Sequence, residues 1–277
     1  MGSDALLLDL VQKRHSRFDV KGNLRIIREA LEGSSSDLVV FPEMFLTGYT
    51  LGDDVHRMAL DTGSGVFSEV REICRENDKH LIFGFPERSS SIKGQVHNSA
   101  CIVGPDGIEG IYRKMHLVDF GPFEEWAYFT PGSETVMFSL NGFNIGVIIC
   151  YDIFFPELTK LYALNGADLV VCISASPSTT RRFFEKVMEA RAIENTIYFA
   201  YSNLVGLDSR MDFWGGAAMI GPRGEIVSKA PLYEEATVAC RMDRHTLELS
   251  RRHRPTLRDT RPAILNELAA WGRITRG

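Results

Sequence analysis

Short apolar runs bounded by Gly, Pro, Asn or Asp recur along the chain. They are "ALLLDL" (5–10), "DLVVF" (37–41), "HLIFGF" (80–85), "SACIVG" (99–104), "FNIGVIIC" (143–150), "DLVVCIS" (168–174), "IYFAYS" (197–202), "AAMIG" (217–221) and "ATVACRM" (236–242). Runs of this length between turn signals predict buried strands. Other segments carry apolar residues at helical spacing. Residues 21–32 place Leu24, Ile27 and Leu31 on one face, and residues 66–77 place Val66, Val70, Ile73 and Cys74. Residues 181–195 do the same with Phe184, Val187, Met188, Ala192 and Ile193, and residues 156–164 open on a proline suited to a first helical turn. Strands alternating with helices predict an α/β fold.

Two pairs of echoes sharpen this expectation. "SDLVVFPE" (36–43) resembles "ADLVVCIS" (167–174), and "SACIVGPDGIEGI" (99–111) resembles "GAAMIGPRGEIVS" (216–228), in the same order. Each member of the second pair reads as a hairpin turning at Gly-Pro-x-Gly. Two similar halves follow, each with helices on one face of its sheet. Packing the bare faces together gives a four-layer α-β-β-α sandwich. A site is expected where strand ends from both halves meet.

The C-terminal stretch breaks the pattern. From Arg244 to Gly277 it holds eight arginines against Glu248, Asp259 and Glu267, a net charge of +5. "RRHRPTLRDTRP" has two prolines and little periodicity, so it is expected to be extended. We therefore divide the chain into residues 1–245, the α/β domain, and 246–277, an Arg-rich arm lying on that domain or on a partner subunit. The whole chain of 277 residues has a net charge of -5, which argues against a nucleic-acid or acidic-membrane partner. No apolar run approaches a membrane span, and "ALLLDL" lacks the basic flank of a signal peptide. The five cysteines are widely spaced with no CxxC pair, as expected of reduced thiols in a cytoplasm.

Several chemistries lack their mark. The chain has no GxSxG, GxGxxG, P-loop or HExxH pattern, and its seven histidines show no ligand spacing. No metal or cofactor is expected. Three reactive side chains instead stand just beyond strand candidates: Glu43 in "DLVVFPEMFLTGY", Lys114 in "GIYRKMHL" and Cys150 in "GVIICYDIFFPE". Singly they read as a loop carboxylate, a surface cation and a core thiol. Together they are the parts of an acyl-transfer site: a nucleophile, a proton carrier and a cation for the oxyanion.

"FPEMFLTGY", "YRKMHL", "GVIICYDIFFPE" and "EARAIEN" (189–195) strongly resemble the carbon–nitrogen hydrolase (nitrilase) superfamily over residues 5–245. The resemblance implies the α-β-β-α sandwich and a Glu-Lys-Cys set at Glu43, Lys114 and Cys150. It also implies a second glutamate, for which "FGPFEEWAYFTPG" offers Glu124 and Glu125; counting back from Pro131-Gly132 favours Glu125. Nitrile-cleaving members usually carry Trp-Glu after the cysteine. Tyr151-Asp152 here resembles the amidase and carbamoylase branches. The implied activity is hydrolysis of a small amide to carboxylate and ammonia through a thioester. N-carbamoyl amine or nitrile hydrolysis stands next, and a non-catalytic binding protein is the rival from another class. The backbone N–H of Tyr151 is expected to help hold the oxyanion, with Phe154 and Phe155 lining an apolar substrate pocket. His116, Asp152 and the Arg191–Glu194 pair read as structural. Trp214 either lines the pocket or packs, and Arg181 and Arg182 stand where a charged substrate group would be met. A homodimer or higher homo-oligomer is also implied.

Overall fold

Alternation sets the layers. In "LVV" (38–40), Leu38 and Val40 point to one side of their strand and Val39 to the other, as a period of two requires. Leu38 and Val40 join the central core, while Val39 packs with Ile27, Leu31 and Ile73 of the outer helices. The computed structural model describes residues 4–274.

Among the described residues, fourteen strands form two six-stranded sheets and a separate hairpin. The first half supplies β1 (Ala5–Gln12), β2 (Leu38–Val40), β3 (His80–Arg88), β4 (Val96–Gly104) and β5 (Gly107–Arg113). The second supplies β6 (Met137–Leu140), β7 (Phe143–Ile149), β8 (Leu169–Ser174) and β9 (Tyr198–Asn203). The hairpin β10 (Val205–Asp208) and β11 (Met211–Trp214) follows, then β12 (Ala218–Ile220), β13 (Ile226–Lys229) and β14 (Ala236–Asp243).

The two sheets have matching topology. One runs β14-β1-β2-β3-β4-β5 and the other β6-β7-β8-β9-β12-β13. In both, the second, third and fourth strands are parallel and every other neighbour is antiparallel. Helices Val20–Glu32 and Gly65–Asn77 make the parallel crossovers of the first half, and Pro156–Leu164 and Arg181–Asn195 those of the second. The sequence echoes fall on equivalent elements, β2 with β8 and the β4–β5 hairpin with β12–β13. Even the register irregularities correspond, at Ile102/Val103 and Met219/Ile220. Residues such as Leu8, Ile82 and Tyr112 of the first sheet share one apolar core with Ile145, Val147 and Ile173 of the second. With helices outside both sheets, the architecture is the α-β-β-α sandwich.

The segment "RRHRPTLRDTRP" (251–262) departs from the extended conformation expected of it: its first three residues close one helix, 256–259 form a turn, and Pro262 opens another helix. Arg244–His253 and Pro262–Ile274 are helices. Asp243 caps the first by accepting from the Thr246 N–H at 2.7 Å. That helix buries only Leu247 and Ser250, so it has almost no apolar periodicity to read. Arg251 bonds Asp168 at 2.8 Å and the Ala167 carbonyl at 2.7 Å, tying the helix to the second half. The β10–β11 hairpin and β6 also went unpredicted, because they are short and bury only about half their residues. Among the described residues, no helix is long and apolar enough to cross a membrane, and no group of three or more His, Cys, Asp or Glu is placed to hold a metal ion.

Candidate active site

Glu43, Lys114 and Cys150 each leave the C-terminal end of a strand. Glu43 stands three residues past β2, Lys114 directly follows β5, and Cys150 directly follows β7. The first two come from one half and Cys150 from the other. The sandwich therefore brings their strand ends together at one edge of the sheet interface.

Lys114 is the centre of the cluster. Its ammonium donates to Glu43 Oε1 at 2.9 Å and to Glu125 Oε1 at 2.7 Å, with the side chains of all three buried. Burial works against the charge on Lys114, but the two glutamates outweigh it and hold its pKa well above the usual lysine value. Of the two candidate second glutamates, Glu125 makes this contact, while Glu124 is exposed to solvent. Glu125 is fixed further by the Tyr49 hydroxyl on Oε1 at 2.8 Å and the Val118 N–H on Oε2 at 2.9 Å.

Glu43 is equally constrained. Asn98 Nδ2 donates to its Oε1 at 2.7 Å, and the Ala175 N–H, just past β8, donates to Oε2 at 2.6 Å. Gly84 makes room for it: a Cβ there would lie 2.2 Å from Met44 N and 2.7 Å from Glu43 Cα. Burial lifts the Glu43 carboxyl above its ordinary value against the pull of Lys114, and the charge on Glu125 adds to the rise. Glu43 is thus a better proton acceptor than a glutamate in water.

Cys150 opens a short 3-10 turn, Cys150–Phe154, with φ of +49°. A non-glycine residue in this left-handed region costs roughly 1–3 kcal/mol and persists only where its surroundings hold it. Asp152 is the holder. Its fully buried carboxylate accepts from Ile149 N at 3.1 Å, His116 N at 2.9 Å, His116 Nδ1 at 2.7 Å and the Tyr112 hydroxyl at 2.8 Å. The residue two past Cys150 is thereby bonded to the residue two past Lys114. Burial, followed by the charge of Glu43, raises the Cys150 thiol above its usual value, while Lys114 pulls the other way. The resting group is the thiol. In water, proton transfer from a free thiol to a free glutamate costs about 6 kcal/mol. Here burial raises both partners, so transfer concerted with attack avoids an isolated thiolate.

Cys150 opens into a cavity of about 260 Å³ that Tyr151 and Phe154 also line. Phe155 does not line it. Phe155 stacks on the His116 ring at 3.5 Å and 8°, because the backbone turns there to start the helix at Pro156. His116 bonds Asp152, and Arg191 bonds Glu194 at 2.7 Å and the Ile153 carbonyl at 2.7 Å. Trp214 is fully buried, stacks on Tyr201 and donates to Ser176 Oγ at 3.2 Å. Arg181 lies 3.8 Å from Glu185, and Arg182 is exposed.

The sequence reading missed Asn98, Tyr49 and the Ala175 N–H. Asn98 had a signal, since "HNS" (97–99) places three polar residues at the head of an apolar strand. Tyr49 ends the "FPEMFLTGY" segment and is held by Asp208 of the unpredicted hairpin, whose Oδ2 accepts from the Tyr49 N–H at 3.2 Å and the Thr50 N–H at 3.1 Å. A backbone donor such as Ala175 leaves no residue-type signal.

The profile of the carbon-nitrogen hydrolase family matches residues 9–252. The chain belongs to this family. It is accordingly a thiol hydrolase of carbon–nitrogen bonds other than peptide bonds, on the amidase-like branch. It is 32% identical to a probable nitrilase of Schizosaccharomyces pombe over 232 residues, covering 81% of this chain and 84% of that one. It is 28% identical to an (R)-stereoselective amidase of a Pseudomonas species over 263 residues, covering 94% and 93%. Among solved structures, an amidase from Nesterenkonia sp. superposes with a TM-score of 0.83 at 25% identity, covering 97% of each chain. In a variant of that amidase, the acetamide moiety of fluoroacetamide is covalently added at the active-site cysteine.

Proposed function

We propose that this carbon–nitrogen hydrolase cleaves a small primary amide to carboxylate and ammonia, with Cys150 as nucleophile, Glu43 as proton carrier and Lys114 as oxyanion partner. The observation that carries the reading is the buried Glu43–Lys114–Glu125 cluster beside a cysteine held at positive φ in an open cavity. The covalent cysteine adduct of the Nesterenkonia amidase, and the acrylamide complex of another variant of it, support the same reading.

The steps follow from the geometry. Glu43 takes the thiol proton as Cys150 Sγ bonds to the amide carbon. An ammonium has three N–H donors; Lys114 uses two on Glu43 and Glu125, and the third serves the developing oxyanion together with the Tyr151 N–H. The tetrahedral intermediate collapses as protonated Glu43 gives its proton to the amine, and ammonia leaves. Glu43 then accepts a proton from water, whose oxygen attacks the thioester. Collapse of the second intermediate breaks the C–S bond and returns the proton to sulfur. Glu125 holds Lys114 in place throughout.

Ammonia release from a panel of primary amides, nitriles and N-carbamoyl amines tests the assignment. Cys150→Ala abolishes release from every active substrate while leaving the far-UV circular dichroism unchanged. A folded Cys150→Ala variant with undiminished activity would overturn the assignment.

A further inference from the structure

We infer that the acyl half of the substrate is an uncharged apolar group, an aromatic ring above all; the inference rests on Cys150 being the nucleophile of the reading above. The cavity against Cys150 is walled by Phe120, Phe123, Tyr151, Phe154, Phe183 and Phe184, and none of its lining residues carries a charge. The rings form a chain: Phe123 to Phe120 at 6.1 Å, Phe120 to Tyr151 at 5.4 Å, Tyr151 to Phe154 at 5.7 Å, and Phe154 to Phe184 at 5.0 Å. Several of these contacts are edge-to-face, the arrangement that another ring entering the group extends. Phe120 and Phe183 are 54% and 62% exposed, so apolar surface beside the nucleophile stands open to be covered.

The Ser176 and Thr180 hydroxyls in the wall are committed to protein partners. Thr180 Oγ1 donates to the Pro177 carbonyl at 2.9 Å, which leaves Ser176 Oγ to donate to Thr180 Oγ1 at 2.7 Å and to accept from Trp214 Nε1 at 3.2 Å. The nearby cations are equally unhelpful to an anionic substrate. Arg181 faces Glu185, Arg182 projects outward into solvent, and Lys114 lies between two glutamates. A carboxylate carried on the acyl group would lose its hydration against rings and meet no counter-charge among the residues that line the cavity. At ~30 Å³ per water, the cavity of about 260 Å³ holds the volume of about nine waters, which suits a phenyl ring on a short tether.

The test compares kcat/KM for ammonia release from phenylacetamide, propionamide and succinamate, the last carrying a carboxylate. Phenylacetamide is expected to exceed succinamate by about 100-fold and propionamide by about 10-fold, the second gain appearing in KM. Succinamate turned over as well as phenylacetamide overturns the inference, as does a phenyl ring that brings no gain over propionamide. Turnover of propionamide alongside either result leaves the Cys150 reading standing, whereas no turnover of any of the three removes both. Phe183→Ala, at an exposed position with little folding risk, is expected to reduce the phenylacetamide-to-propionamide ratio several-fold. An unchanged ratio in that variant counts against the aromatic wall.

Discussion

Replacing Lys114 with methionine strips two buried carboxylates of their shared cation. Lys114 and Glu43 side chains are fully buried and Glu125 is 4% exposed, so water does not take the place of the ammonium. Removing one partner of a buried ion pair costs about 3–5 kcal/mol, because the remaining charge is left uncompensated. At roughly 2–4 °C per kcal/mol for a domain of this size, Lys114→Met is expected to melt roughly 10 °C below the parent near neutral pH. The loss depends on pH, and its sign follows from linkage. Glu43 is already raised above its ordinary value, chiefly by burial, with Lys114 opposing the rise. Without Lys114 it rises further, so the folded variant holds a proton that the unfolded chain has released. Stability then declines as pH climbs from the ordinary glutamate value through the raised one. Lys114 itself adds no slope there, since it is charged in both states of the parent between pH 5 and 8. The variant is therefore closest to the parent near pH 5 and furthest at pH 8. Thermal unfolding followed by circular dichroism at the two values measures this, with ammonia release expected to fall at least about 100-fold. A melting gap that is absent, or that widens toward pH 5, would refute the account of the cluster.

Further outcomes follow from single contacts. Iodoacetamide is expected to modify Cys150 alone in the folded protein, since it lines a cavity while Cys74, Cys101, Cys172 and Cys240 are at most 3% exposed; equal labelling of all five, read by peptide mass spectrometry, would contradict this. Gly84→Ala forces a methyl to within 2.2 Å of Met44 N and displaces Glu43. It should cost about 1–3 kcal/mol of stability in urea and lower kcat about 10-fold or more through misplacement of the base, and a variant with parental kcat would show that Glu43 position does not matter. Asp152→Ala leaves four donors unsatisfied around the Cys150 turn. The expected loss is about 3–5 kcal/mol in urea unfolding together with a lower kcat; a parental unfolding midpoint would show that the turn is held by something else.

Much of this was readable from the chain, for a physical reason. Strands and helices are decided by nearest neighbours along the sequence, and their periods of two and 3.6 are visible wherever one face is buried. The paired echoes carried the two-half architecture because equivalent strands, such as β2 and β8, meet the same packing demands. Where burial is slight the signal fades. The helix Arg244–His253 buries two residues and went unpredicted, although Asp243 stood ready as its cap.

The site divides along the same line. The residue types Glu43, Lys114 and Cys150, each after an apolar strand, were set by the sequence. The count back from Pro131-Gly132 favoured Glu125 over Glu124, but only the tertiary structure places the Glu125 carboxylate 2.7 Å from the Lys114 ammonium. It alone turned Phe155 away from the cavity and left Phe154 in its wall. It also recruited Asn98 and the Ala175 N–H to Glu43, and held Cys150 at positive φ through Asp152. These contacts join residues far apart in the chain, and the distances between such residues exist only once the two sheets have packed.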